Sequence, residues 1–123
     1  MSAPPPSLGG PGPWITVSPA ARRQTLCVGQ RTMQVQVVIA PHTTMPTHSH
    51  PHEQLVYVAR GSVTFHVGDT RVELAAGQSL FLPGDVPHGC VTGESETVLI
   101  DTFCPLREDF LAQDEQARHA PGV

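Results

Sequence analysis

Between Trp14 and Phe103 apolar residues fall at alternate positions in short runs. Gly and Pro interrupt them at intervals of roughly eight to twelve residues, the rhythm of an antiparallel sandwich or barrel. Met33, Val35, Val37 and Ile39 alternate with Gln34 and Gln36, which predicts a half-buried strand. The stretch Gln54–Ala59 is apolar at both parities and reads as a central strand. Val63, Phe65 and Val67 alternate with Ser62, Thr64 and His66, and Gly68-Asp69 supplies a hairpin turn into Val72 and Leu74. Ser79–Leu82 and Thr97–Phe103 complete the strand candidates. No stretch before Pro105 carries a helical repeat. Only Leu106, Phe110 and Leu111 recur at helical spacing, among charges. The expected architecture is all-β, a barrel closed by a short C-terminal helix.

Composition sets the limits of this domain. The 123 residues are one domain's worth of chain. Met1–Pro13 holds five of the 13 prolines and three of the 11 glycines, and is expected to be a flexible tail. Residues 14–112 are expected to form the single barrel domain and 113–123 a C-terminal tail. No apolar run approaches the ~20 residues of a membrane span, and the N-terminus lacks the pattern of a secretory leader. The formal charge of −4, with seven Arg and no Lys, argues against a nucleic-acid partner and excludes lysine Schiff-base chemistry. Cys27, Cys90 and Cys104 show no CxxC spacing; each is expected as a small buried apolar residue in a reduced, cytoplasmic protein.

Histidine carries the chemistry. Of seven histidines, four fall in one region: His42, His48, His50 and His52. Residues two apart on an extended segment point the same way, so His48 and His50 can address one point, and Gln54 shares their parity. Glu53 has the opposite parity. His88 is expected in the turn after Pro83-Gly84-Asp85-Val86-Pro87. Imidazoles aimed inward from adjacent strands are a common way to hold a transition metal. His52 reads as a rim residue, and His42, His66 and His119 as surface residues.

A second constellation lies near the C-terminus. Asp101 shares the parity of Thr97, Leu99 and Phe103, which places a carboxyl on an inward apolar face, where burial raises its pKa and suits it to proton transfer. Arg107 can reach over the barrel mouth to clamp a substrate carboxylate. The alternatives are an Asp101–Arg107 pair, or a surface charge at the helix start. Glu108 and Asp109 read as solvated acids favoured by the helix dipole.

His48-Ser49-His50-Pro51-His52-Glu53-Gln54, with Gly61 beyond it, resembles the first motif of the cupins: His-x-His, three or four residues, Glu or Gln, six residues, Gly. Gly77-x5-Pro83-x4-His88 resembles the second, with Asp85 where Gly is common. The resemblance implies a double-stranded β-helix (jelly-roll) barrel with His48, His50, Gln54 and His88 as metal ligands. The span Trp14–Leu111, with its Asp-Thr-Phe-x-Pro-x-Arg-Glu-Asp-Phe-Leu ending, is similar to the small single-domain cupins of pectin degradation that linearise 4,5-unsaturated monouronates. In that family the residues matching Asp101, Phe103 and Arg107 work beside the metal.

Three imidazoles and an amide would leave the full charge on a divalent ion, which favours Lewis-acid chemistry. Zinc or nickel is favoured, with iron or manganese possible. The expected partner is a small carboxylated sugar. Two other readings remain: a metal-containing module that binds a small molecule without catalysis, and an oxygen-dependent dioxygenase, which the neutral Gln54 disfavours. A homodimer is expected, formed through edge strands with Trp14–Val17 as the candidate.

Overall fold

The computed structural model describes residues 3–120; the first two residues of the expected N-terminal tail and the last three of the C-terminal tail lie outside the described residues. Among the described residues, ten strands and one helix follow in chain order: β1 (Trp14–Ser18), β2 (Ala21–Val28), β3 (Met33–Ile39), β4 (Thr44–His48), β5 (Glu53–Arg60), β6 (Ser62–Val67), β7 (Thr70–Ala75), β8 (Ser79–Leu82), β9 (His88–Thr92), β10 (Thr97–Cys104) and α1 (Glu108–Arg118). One sheet has the order β1-β2-β3-β10-β5-β8 and the other β4-β9-β6-β7. All the strand pairs are antiparallel. This is the expected jelly-roll architecture with its C-terminal helix.

Alternation decides which side chains face the core. Val56, Val58, Val63, Phe65, Leu74, Leu82 and Leu99 are buried together between the sheets. A smaller cluster of Met33, Val35 and Phe103 packs under Leu106, Phe110 and Leu111, so the helix covers one end of the barrel. Strand β10 lies between β3 and β5 and buries Thr97, Leu99, Asp101 and Phe103 at alternate positions. That alternation carries Asp101 inward.

The first cupin-like motif ends at a point with no room for a side chain. Gly61 has φ +84°, and a Cβ there would crowd the Thr97 hydroxyl and the Glu96 carbonyl. Asp85, standing where the second motif commonly has Gly, adopts φ +65°. A short polar side chain tolerates that left-handed conformation.

Four expectations need correction. Strand β5 lies inside its sheet, but only one face is covered: Leu55 and Tyr57 are exposed while Gln54, Val56 and Val58 are buried. Residues 113–118, expected as tail, continue α1, because Asp114 is buried against β2 and anchors the turn. His88 does not sit in a turn but opens β9, paired with His48. Cys104 is exposed and Cys27 half-buried, while Cys90 is buried as expected; Cys104 follows inward-facing Phe103 and so has the outward parity. Strand β2 gave little apolar signal because its inward positions include Arg23 and Thr25. Before β1, residues 3–13 carry neither helix nor strand, yet the Gly12 N–H donates to the Thr25 carbonyl at 2.9 Å.

Candidate metal centre and active site

Strand pairing assembles the histidines. β4 ends at His48, β9 begins at His88, and these two are register partners. His50 follows in the link to β5, whose second residue is Gln54. One ligand atom from each of His48, His50 and His88 lies within 4.8 Å of the others, a spacing that a single cation can bridge. The His50 and His88 ring centroids are 4.9 Å apart and those of His48 and His88 4.6 Å. His50 Nε2 lies 3.0 Å from Gln54 Oε1, which brings the fourth expected ligand to the same point.

The donor set fits a metal. The far ring nitrogens are fixed by backbone carbonyls: His48 Nδ1 at 3.3 Å from the Pro46 oxygen, His50 Nδ1 at 3.1 Å from His52, and His88 Nδ1 at 3.0 Å from Val86. At His48 and His88 such bonds place the hydrogen on Nδ1 and leave Nε2 as a lone-pair donor. His88 Nε2 is buried with no hydrogen-bond partner, as a ligand atom facing a cation position would be. Burial, followed by the Arg107 and His88 charges, pulls His50 down to about 4, and burial also lowers His88. Both rings are therefore neutral near pH 7, the form in which imidazole ligates.

Beside this cluster stand Asp101, Phe103 and Arg107. Asp101 is 7% exposed and its Oδ1 has no hydrogen-bond partner. Burial pushes its carboxyl up to about 7, against the opposing pull of the Gln54 side chain and the Arg107 charge. Phe103 packs edge-on to His50 at 5.7 Å between centroids. Arg107 is buried at the N-cap of α1, and its backbone N–H points at Met33 Sδ, 3.1 Å away. Its carboxylate partner is Asp109 rather than Asp101: Nε and Nη2 donate to Oδ1 and Oδ2 at 3.0 and 2.8 Å. This fork leaves the Nη1 edge outside the pair. Asp109 is thus more than a solvated helix-start acid, although it remains half-exposed.

His48, His88 and Gln54, together with Asp101, Phe103 and Arg107, line one cavity of about 240 Å³ inside the barrel, walled otherwise mainly by apolar side chains such as Ile39, Phe65 and Leu99. Glu53 is exposed, as its parity requires. His42, His66 and His119 are exposed, and none belongs to the cluster. His52 is half-buried, and its ring meets Phe103 at 6.5 Å. Sequence reasoning missed Arg23, which lines the same cavity. Its signal was a charge at an inward parity on a strand whose alternation was too weak to identify.

A jelly roll with three imidazoles clustered beside its cavity defines the class. The chain belongs to the cupin family: residues 35–103 match the Cupin_2 cupin-domain model. Among curated proteins it is 33% identical over 100 residues to the pectin degradation protein KdgF of Dickeya dadantii (strain 3937), covering 80% of this chain and 91% of that one. Among solved structures it is similar to KdgF from Halomonas sp. (TM-score 0.75, 27% identity, 80% of this chain and 92% of that one). It is equally similar in fold to an RmlC-like cupin from Shewanella frigidimarina NCIMB 400, with TM-score 0.74 and 33% identity over 80% of this chain and 88% of that one.

Proposed function

We propose that this cupin is a metal-dependent enzyme that opens and ketonises the ring of a 4,5-unsaturated monouronate or a similar small acidic sugar. The observation that carries the reading is Asp101, a buried carboxyl with a bare oxygen in the same cavity as the imidazole cluster and a guanidinium. The similarity to pectin degradation proteins supports the substrate class.

His48, His50, His88 and Gln54 hold a divalent transition cation, which supplies Lewis-acid polarisation when bound. Arg107 receives the sugar carboxylate on its Nη1 edge, with Asp109 keeping the other edge occupied. Phe103 forms the apolar wall that shapes the pocket and limits water. Asp101 carries the proton. As the bond between C1 and the ring oxygen breaks, the C1 hydroxyl loses its proton and the ring oxygen gains one, giving an aldehyde and an enol; the enol becomes a ketone as C4 gains a proton and the C5 hydroxyl loses one. Protons lost and gained are equal, so the sugar isomerises without a redox cofactor. A carboxyl titrating near neutrality can both give and take such a proton.

The test is a screen of lyase-generated unsaturated monouronates, followed by loss of their ultraviolet absorbance, with chelator-stripped protein as the control. Turnover that requires metal and is lost in Asp101→Asn supports the proposal. Saturable sugar binding without turnover would replace it with a binding module.

A further inference from the structure

Helix α1 is seated by a polar cluster that is sealed from solvent. The Arg23 and Asp114 side chains are 2% and 1% exposed and meet at 3.1 Å. Arg23 Nη2 also donates to Gln113 Oε1 at 2.7 Å and to the Phe110 carbonyl at 3.3 Å. Thr25 Oγ1 donates to the second Asp114 oxygen at 2.6 Å. These bonds commit three of the five guanidinium N–H groups to the helix.

The same guanidinium lies 4.0 Å from the centroid of the Phe110 ring. The Arg107 guanidinium lies 3.9 Å from that centroid. Phe110 in turn stands edge-on to Phe103, 5.6 Å away at 88°. One aromatic ring therefore serves two cations, each within the range of cation–π attraction. The helix supplies the ring and both counter-carboxylates, Asp109 for Arg107 and Asp114 for Arg23. The Phe110 ring bears on the Arg107 guanidinium from one side, and the Asp109 fork holds its Nε and Nη2 groups.

We infer that Arg23, Asp114 and Phe110 are positioning residues that hold the Arg107 guanidinium in one orientation at the cavity, through the seat of α1 and the shared ring. The inference rests on the proposed role of Arg107 as the carboxylate clamp. A clamp held in its final geometry loses less freedom when it binds than a mobile side chain does.

The experiment compares Phe110→Leu, Phe110→Tyr and Arg23→Lys with the unaltered protein and with Arg107→Ala. Arg23→Lys retains the buried charge but lacks the planar fork, and it serves if the leucine variant does not fold. The first readout is the Arg107 Nε–Hε resonance in nitrogen-edited NMR, assigned by its disappearance in Arg107→Ala; it needs no substrate. Phe110→Leu and Arg23→Lys are expected to shift this resonance and speed its exchange with water, and Phe110→Tyr to restore it. The second readout is the split between KM and kcat on the unsaturated monouronate. KM is expected to rise about tenfold in Phe110→Leu, with kcat changed less than about twofold. An unaltered resonance or an unaltered KM in the folded variants overturns the inference. An unaltered KM in Arg107→Ala instead sinks the clamp reading, and the NMR readout then reports on the positioning alone.

Discussion

Asp101 occupies a face of β10 whose other buried members are Thr97, Leu99 and Phe103. An ionised carboxylate there would lack the solvation that water provides, and Gln54 and Arg107 return only part of it. Replacement by Asn keeps shape and removes the titrating proton. Asp101→Asn is expected to retain bound metal, measured by elemental analysis, and to lose at least about a hundredfold in turnover, the usual contribution of a general acid–base.

The same groups set a pH dependence in chelator-stripped protein. A carboxyl raised by folding removes stability as pH rises from its unfolded value toward about 7, because the unfolded chain ionises first. Histidines lowered by folding act oppositely: His50 and His88 remove stability as pH falls below the ordinary histidine range. The two effects oppose each other between about pH 4 and 6.5. Asp101→Asn deletes one of them, so its melting temperature should climb more steeply with pH across that window than the parent's. Parallel melting curves would exclude a raised Asp101 pKa.

At the scale of elements, α1 depends on one buried pair more than on an apolar face. Asp114 is its single buried residue, held by Arg23 and Thr25 on β2. Arg107 at the N-cap makes no side-chain cap, although Glu108 and Asp109 suit the positive end of the helix dipole. Asp114→Ala would leave the Arg23 guanidinium buried without its counter-charge, at a cost of about 3–5 kcal/mol. Urea unfolding should show that loss, together with faster amide exchange in the helix. A cost below about 1 kcal/mol would mean that the helix is seated mainly by Phe110 and Leu111. The site itself draws on the ends of β4 and β9, the β4–β5 link, β5 and β10, so its geometry follows from strand register.

For the molecule as a whole, a metal held by these imidazoles would couple to folding. The imidazoles converge only when β4 pairs with β9, so a cation would bind the folded chain preferentially. At a concentration a hundredfold above its Kd, such an ion contributes about 2.7 kcal/mol. For a domain of this size, chelation should lower the melting temperature by roughly 10 °C. A His48→Ala, His50→Ala double variant should melt at the chelated value whether or not metal is added. Strand β1 forms an edge of the six-stranded sheet, with Trp14 and Val17 each more than 40% exposed. Pairing of that edge with a second copy would cover both, so light scattering after size exclusion is expected to give the mass of two chains.

The spacing of His48, His50, Gln54 and His88, and the parity of Asp101, were legible in the chain because strands repeat every two residues and a motif with two fixed spacings leaves few folds open. Strands β3 and β6 could be bounded for the same reason: their alternation is local. Partner choice among charges is not local. Asp109 rather than Asp101 receives Arg107, and Arg23 meets Asp114 across 91 positions of sequence. Both pairings exist only once α1 packs across the end of the barrel. Tertiary structure likewise decided which face of β5 is bare and that His88 begins a strand, since burial depends on what the rest of the chain leaves uncovered.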